Sequence, residues 1–185
     1  MDNSQPCSTV RESDAMRKSP MNAKFQRITP FLWFDDQAEE AVNFYISVFD
    51  NARILRVARY SDQSAKATGK SAGAVMTVDF ELDGQNLTAL NGGPIFKFNE
   101  ALSLVVHCHS QDEVDHYWAK LSQGGDEKAQ QCGWLKDRFG VSWQIVPSLL
   151  IELLTDPDPE KARKATNAMM QMKKIDLEAL RRAAA

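Results

Sequence analysis

The chain has 185 residues, of which 43% are hydrophobic and 25% are charged, a length and composition that allow one domain with a substantial core. Its formal net charge of −3 at pH 7 argues against nucleic acid as a partner, because phosphate binding needs a basic face. No apolar run approaches the roughly 20 residues that cross a bilayer, which argues against membrane insertion.

The N-terminal residues 1–24 are polar and show no hydrophobic period, which predicts a disordered tail. Met21 stands just before the ordered pattern begins and is therefore a candidate for the natural start. Cys7 in this tail, with Cys108 and Cys132, makes an odd and unpatterned set. Such a set predicts reduced thiols in a cytoplasmic protein, and we expect Cys108 and Cys132 to be buried structural thiols.

The ordered pattern starts at Ile28 with a strand and a helix. The short bulky run ITPFLWF predicts a strand, and Pro30 favours an edge position or a strand start. The following stretch, DDQAEEAVNFYISVF, places apolar residues at helical spacing, so it predicts a helix. Asp36, with Glu39 three residues later, is the expected N-cap.

Three more strands complete a first unit at about 28–93. They are ARILRVARY, AVMTVDFELDG and QNLTALNGG. The polar stretch from Ser61 to Gly73 predicts a mobile loop between the first two. Asp83-Gly84 predicts a tight hairpin turn between the second and third.

The same order then repeats at about 101–148. ALSLVVHCH predicts a strand, and SQDEVDHYWAKLSQGG predicts a helix with a capping box formed by Ser110 and Glu113. EKAQQCGWLKD and VSWQIVP predict strands around a turn at residues 138–140. An offset of 73 places Ala41 on Val114 and Tyr45 on Trp118. This internal duplication predicts an α+β domain at 25–148, built from two βαβββ units.

Residues 149–185 predict C-terminal helices that have no counterpart in the first unit. Asp158 is the expected N-cap of one helix, with Pro159 at its first position. Asp176 is a candidate cap for a last short helix. We expect this extension to pack on the outside of the sheet or on a partner subunit.

Several segments resemble the PhnB-like branch of the vicinal oxygen chelate (glyoxalase/bleomycin-resistance) superfamily, whose members often carry the label 3-demethylubiquinone-9 3-methyltransferase. The segments are ITPFLWF, ALNGG, DEVDHYW and, most specifically, CGWLKDRFGVSWQIVP. The resemblance runs from about Arg27 to Leu154. It implies a curled, mixed or antiparallel glyoxalase-like sheet around a shared cavity, and a homodimer. It leaves the activity open, because one fold hosts many functions.

The resemblance also implies where a metal site would lie. The ligand positions of metal-dependent members map onto Thr29, the Leu87/Ala89/Asn91 face, Ser103 and Gln144. These side chains carry no negative charge to offset a dication. We therefore predict no metal and no other cofactor.

The same mapping, combined with strand alternation, selects the residues that face the cavity. His107 is the candidate general acid or base because imidazole titrates near neutral pH, although it also fits a wall or solvent position. The predicted ligand-binding residues are Phe31, Trp33, Ala89, Asn91, Ser103, Ser142 and Gln144. Trp33 fits core packing equally well, and Trp143 is expected in the core. Asp79 and Glu81 are either cavity acids or a solvated face.

The first functional hypothesis is metal-free binding of a small aromatic or hydrophobic molecule, as the resemblance to bleomycin-resistance proteins implies. The alternative is a metal-dependent lyase, isomerase or dioxygenase of the superfamily. A third is a role in protein contacts through the C-terminal helices. Methyltransfer is not favoured, because the chain lacks the order of strand, Gly-rich turn and helix that a doubly wound S-adenosylmethionine enzyme shows.

Overall fold

The computed structural model describes residues 26–185, so the predicted disordered tail and Met21 lie outside the described residues. The described chain is an α+β fold, as predicted. Its strands are β1 (Phe31–Phe34), β2 (Ala52–Arg59), β3 (Val75–Leu82), β4 (Gln85–Asn91), β5 (Leu104–Cys108), β6 (Trp134–Lys136) and β7 (Ser142–Pro147). Its α-helices are α1 (Ala38–Val48), α2 (Asp62–Thr68), α3 (Gln111–Leu121), α4 (Ser148–Leu154), α5 (Pro159–Met169) and α6 (Leu177–Ala184).

The first unit forms a four-stranded sheet in the order β1-β4-β3-β2. β1 pairs parallel with β4, whereas β3 pairs antiparallel with both of its neighbours. Asp83 and Gly84 form the predicted hairpin turn, with φ angles of 46° and 82°. Positive φ at both central residues is what a type I′ turn requires. One face of the sheet packs on α1 and buries Leu32, Phe34, Val78 and Phe80.

The second unit forms a three-stranded sheet in the order β5-β7-β6. The predicted strand EKAQQCGWLKD is a strand only over Trp134–Lys136, and Glu127–Ala129 forms a 3-10 turn. Cys132 and Gly133 have φ angles of 53° and 85°. Since a β-strand needs negative φ, the strand cannot extend back through these two residues. The second unit therefore repeats the first with one strand fewer.

The predicted N-cap of α1 was wrong. The N-cap position is Gln37, whose side chain makes no capping hydrogen bond. The Ala38 N–H instead donates to Asn91 Oδ1 at 2.8 Å, and Asn91 Nδ2 donates to the Val75 carbonyl at 3.1 Å. An amide at the end of β4 thus satisfies a helix terminus that no neighbouring side chain caps.

The predicted mobile loop at residues 61–73 was also wrong, because this stretch contains α2. The Ser61 hydroxyl accepts from the Ser64 N–H, and the Ser64 hydroxyl accepts from the Ser61 N–H. Gly69 ends the helix with a φ of 71°. Both termini are therefore capped locally, and Ala65 is buried. Because this stretch is polar, it shows no helical hydrophobic pattern in the sequence. The helix is stabilised by its caps rather than by a wide apolar face.

A buried carboxylate joins the two units. Asp137 Oδ2 accepts from the Tyr45 hydroxyl and from Trp143 Nε1, both at 2.8 Å. Asp137 Oδ1 accepts from the N–H groups of Phe139 and Val141 and so shapes the predicted turn at 138–140. Burial raises the pKa of Asp137, against the opposing effect of these four donors. Trp143 is 2% exposed, which confirms its predicted core position.

The C-terminal extension packs on the second unit. Asp158 and Asp176 cap α5 and α6 as predicted, with Pro159 in the first turn of α5. The carbonyls of Met172 and Lys173 accept from the Cys132 and Gly133 N–H groups. A small separate core lies inside the extension, formed by Leu150, Leu153, Ala165, Ile175, Leu180 and Ala184. Within residues 26–185, no helix combines the length and apolar character that crossing a bilayer requires.

Candidate functional site

The face of the first sheet that points away from α1 carries two aromatic side chains of β1, Phe31 and Trp33. Phe31 pairs with Thr88 and Trp33 pairs with Leu90, so these four side chains share one face. Phe31 is 57% exposed, whereas Leu32 on the opposite face is 2% exposed. We call this surface, together with the matching face of β5 and β7, the open face.

A cavity of about 220 Å³ lies at the edge of the open face, between β1, the inter-unit segment 92–103 and the starts of β5 and β7. We call it the Trp33 cavity. Four of the predicted ligand-binding residues line it: Phe31, Trp33, Ser103 and Ser142. The inter-unit segment contributes Phe96, Lys97, Phe98, Asn99 and Leu102.

Trp33 forms a fixed wall of this cavity. Its indole Nε1 donates to the Gly93 carbonyl at 2.8 Å, and the Phe96 ring meets it edge-on at 5.0 Å between centroids. A Cβ on Gly92 would lie 2.3 Å from the indole, so only glycine fits beside the ring. From the sequence, Trp33 could either line the cavity or pack in the core. It is half-buried and lines the cavity.

Gln144 and Ser103 come together on the open face. Gln144 Nε2 donates to Ser103 Oγ at 2.8 Å. Ser103 lines the cavity. Gln144 does not line it, but its hydrogen bond orients the Ser103 hydroxyl. Because Ser103 Oγ accepts this bond, its own O–H remains free to donate into the cavity.

The structure places Ala89 and Asn91 on the opposite face. Ala89 pairs with Leu32 and Val78, and it is fully buried on the α1 side. The Asn91 side chain is occupied by its bonds to Ala38 and Val75. Neither residue lines the Trp33 cavity, because the β1–β4 register turns the even-numbered positions of β4 toward the open face.

His107 lies on the open face of β5, as alternation predicts, and it is exposed. It lines a separate hollow of about 390 Å³ between the two units, which it shares with Ser103, Val105 and Tyr117. Among the described residues, no hydrogen bond to the His107 ring orients it. Its role as an acid or base stays a prediction.

Asp79 and Glu81 lie on the open face of β3 but do not line the Trp33 cavity. Asp79 pairs with Arg56 at 2.5 Å and accepts from the Thr88 hydroxyl at 2.8 Å. Glu81 pairs with Arg53 at 2.9 Å. Both arginine side chains are largely exposed, so such pairs contribute about 0–1 kcal/mol each.

The donor set does not fit a divalent metal. No three His, Cys, Asp or Glu side chains of residues 26–185 stand close enough together to hold one. At the positions implied by the resemblance, Ser103 and Gln144 are bonded to each other, and Thr29 is exposed before β1. Neutral hydroxyls and an amide offer no charge to a hard cation.

The two described cysteines differ. Cys108 is buried as predicted, and burial, followed by the nearby Glu113 carboxylate, raises the pKa of its thiol to about 12. Cys132 was expected to be buried but is only partly so. Its positive φ places it in the surface turn that the C-terminal extension covers incompletely, with its Sγ 3.8 Å from Met170 Sδ.

The residues that sequence reasoning missed belong to the inter-unit segment. Phe96 packs on Trp33, and Phe98 meets Phe34 at 5.1 Å between centroids. Lys97 lies between these two anchors and lines both the Trp33 cavity and a neighbouring hollow. The signal was the run IFKF directly after the Gly-Gly-Pro turn, where a plain linker would carry polar residues.

A family model described as 3-demethylubiquinone-9 3-methyltransferase matches residues 26–146. A search of curated proteins gave no match. Among solved structures, the chain is similar to a PhnB protein from Bacillus cereus that carries the same description. The identity is 35% and the TM-score 0.57, over 66% of this chain and 100% of that one.

Two more distant structures are also similar. Protein PA1353 from Pseudomonas aeruginosa is 19% identical with a TM-score of 0.51, over 66% of this chain and 98% of that one, a likeness of fold alone. The fosfomycin resistance protein FosX from Listeria monocytogenes is 16% identical with a TM-score of 0.47, over 70% of this chain and 94% of that one.

Proposed function

The chain belongs to the PhnB-like family described as 3-demethylubiquinone-9 3-methyltransferase, a branch of the vicinal oxygen chelate superfamily, and from this premise we propose that it binds a small aromatic or hydrophobic molecule in the Trp33 cavity without a metal. The resemblance predicted from the sequence is thereby confirmed. The ligand and its site are our proposal.

The observation that carries the proposal is the make-up of the cavity wall. Phe31, Trp33 and Phe96 present aromatic surface, and the hydroxyls of Ser103 and Ser142 stand among them. A mostly apolar hollow with a few convergent polar groups is the usual composition of a small-molecule site. The anchored indole of Trp33 makes this wall largely preformed, which lowers the entropic cost of binding.

A metal-dependent lyase, isomerase or dioxygenase is the second candidate. The one observation in its favour is His107, an imidazole on the same open face that no described residue engages. It is less well supported, because the other positions that would share a metal with it carry Ser103 and Gln144.

Methyltransfer, although present in the family description, is not proposed. Each described sheet contains a single parallel strand pair, β1 with β4 and β5 with β7. The Gly92-Gly93 turn leads into Pro94 and an irregular segment rather than a helix, and Gly92 accommodates the Trp33 indole. A doubly wound S-adenosylmethionine site needs a glycine turn that opens a helix.

We further propose that the protein is a cytoplasmic homodimer. Large apolar side chains cluster near the open face, and Phe31, Phe96, Leu102 and Val105 are 44–64% exposed. A contiguous exposed apolar surface marks a contact site, and a second copy of the chain is the proposed occupant. Because Phe31, Phe96 and Leu102 also line the Trp33 cavity, the second copy would pack over the cavity rim, and the ligand would lie at the contact between the two subunits. Cys108 and Cys132 form no disulfide with each other, which fits a cytoplasmic location.

Thermal-shift screening with planar aromatic compounds tests the binding proposal. A ligand at 100 times its Kd adds about 2.7 kcal/mol, which raises Tm by roughly 5–10 °C in a chain of this size. The shift should persist in EDTA and shrink in Phe31→Ala, but not in Ile151→Ala, a matched exposed apolar residue on α4. A shift that EDTA abolishes and a divalent cation restores would favour the second candidate.

A further inference from the structure

We infer that the ligand of the Trp33 cavity is an aromatic acid, a flat apolar molecule that carries one negative charge. This inference rests on the proposed function and narrows its ligand class. The charge would be held by the Lys97 ammonium group together with the hydroxyls of Ser103 and Ser142.

The charges on the cavity wall favour an anionic ligand. The lining contains one cation, Lys97, and no carboxylate. Among residues 26–185, Lys97 forms no ion pair, whereas Glu100, three residues later, and Asp35, which lines the neighbouring hollow, both have cationic partners. Glu100 pairs with Lys136, and Asp35 lies 4.0 Å from the Lys70 amine. The wall therefore has an uncompensated positive charge beside apolar surface, which favours an anion over a neutral or cationic ligand.

Lys97 is held at the rim of the cavity by the aromatic residues on either side of it. Phe96 packs edge-on against Trp33 and Phe98 packs edge-on against Phe34, so the backbone is anchored on both sides of the lysine. Lys97 itself stays exposed at the boundary of two hollows. An ammonium group at a fixed rim can meet a carboxylate or sulfonate while the rings of the ligand lie on the aromatic wall.

The cavity wall also contains a buried hydroxyl, that of Ser142, without a hydrogen-bond partner among the described residues. Ser142 is 2% exposed, lines the cavity, and makes no side-chain hydrogen bond with any described residue. No side-chain oxygen or nitrogen in the described part is both sealed from solvent and unbonded, so the Ser142 hydroxyl opens onto the cavity. Ser103, whose oxygen already accepts from Gln144, also has its proton free. Two available O–H donors and an ammonium group are a donor set suited to an anion.

The test uses two probes that share one ring skeleton. 8-Anilinonaphthalene-1-sulfonate carries a sulfonate, and N-phenyl-1-naphthylamine is the same molecule without it. Fluorescence titration of the full chain should give tighter binding of the sulfonate probe, with an affinity that falls as salt rises. Lys97→Met should weaken the sulfonate probe roughly three- to tenfold and leave the neutral probe within about twofold. Ser142→Ala should act in the same direction.

Lys128→Met is the matched control, since Lys128 is also exposed and lies outside the cavity; it should change neither affinity. If Lys97→Met leaves the sulfonate probe unchanged while Phe31→Ala weakens both probes, the cavity binds aromatic molecules but the charge inference is wrong. If Phe31→Ala leaves both probes unchanged, the proposed function itself fails, and the charge inference fails with it.

Discussion

The Tyr45 hydroxyl on α1 donates a 2.8 Å hydrogen bond to the Asp137 carboxylate just after β6, so a buried polar contact joins the two halves of the duplicated fold. Both residues are at most 2% exposed. Because each half contributes one partner, this contact helps to fix the relative placement of the two sheets, together with the packing of the Tyr45 and Trp143 rings at 5.4 Å between centroids.

Tyr45→Phe should therefore cost more stability than Tyr60→Phe. Both hydroxyls are buried, but Tyr60 donates to the neutral Asn91 carbonyl at 2.7 Å. A hydrogen bond to a charged group contributes roughly 1.5–3 kcal/mol, against about 0.5–1.5 for a neutral one. Urea denaturation of both variants measures the difference, and equal losses would mean that the Asp137 contact has no special weight.

The same pair predicts a pH dependence. Burial, reinforced by the Asp137 carboxylate, raises the pKa of Tyr45 well above its ordinary value of 10.0. The contribution to stability is fully present below pH 10, where unfolded Tyr45 is also protonated. Above that pH the unfolded chain loses this proton and the folded chain keeps it. The free energy of unfolding should thus fall more steeply in the wild type than in Tyr45→Phe, by up to about 1.4 kcal/mol per pH unit. If the free energy of unfolding has the same pH dependence in the wild type and in Tyr45→Phe, this prediction is wrong.

Asn91→Ala should destabilise the fold where Asp36→Ala does not. Removal of the Asn91 side chain leaves the Ala38 N–H and the Val75 carbonyl without their partners, at a cost of roughly 1–3 kcal/mol for each buried group. Asp36 is exposed and caps nothing in the described chain, so its loss should stay within about 0.5 kcal/mol. Chemical denaturation compares the two, and a larger loss for Asp36→Ala would reverse the assignment of the cap.

Gly92→Ala should disturb Trp33 and weaken aromatic probes. The new Cβ would overlap the indole at 2.3 Å, so the ring must move. Trp33→Leu removes the overlapping atoms, and the loss of stability caused by Gly92→Ala should be smaller in that background. A double-mutant cycle measures this coupling. Strictly additive effects would show that Gly92→Ala acts through the backbone and not through overlap with the Trp33 indole.

Val105→Asp should shift a dimer toward monomer, as measured by sedimentation. Val105 on the open face is 44% exposed, and Ile151 on α4 is 43% exposed, so Ile151→Asp is a matched control for the added charge. If Ile151→Asp dissociates the dimer and Val105→Asp does not, the contact surface lies on the C-terminal extension.

Features that depend on near neighbours in the chain could be predicted from the sequence alone. Strand alternation placed Phe31, Ser103, His107 and Gln144 on one face, and the Asp83-Gly84 turn and the Asp158 and Asp176 caps are each decided within a few residues. The internal repeat and the block CGWLKDRFGVSWQIVP were enough to identify the family.

The packing of the faces and the hydrogen bonds between distant groups could not be predicted from local patterns. The register between β1 and β4 turns Ala89 and Asn91 into the core, and pairing across strands is not encoded in either strand alone. The cap of α1 comes from a residue 53 positions away, and Tyr45 and Asp137 are 92 positions apart. The inter-unit segment reaches the site because Phe96 packs on Trp33, an aromatic contact that no local pattern contains, and this contact brings Lys97 to the cavity.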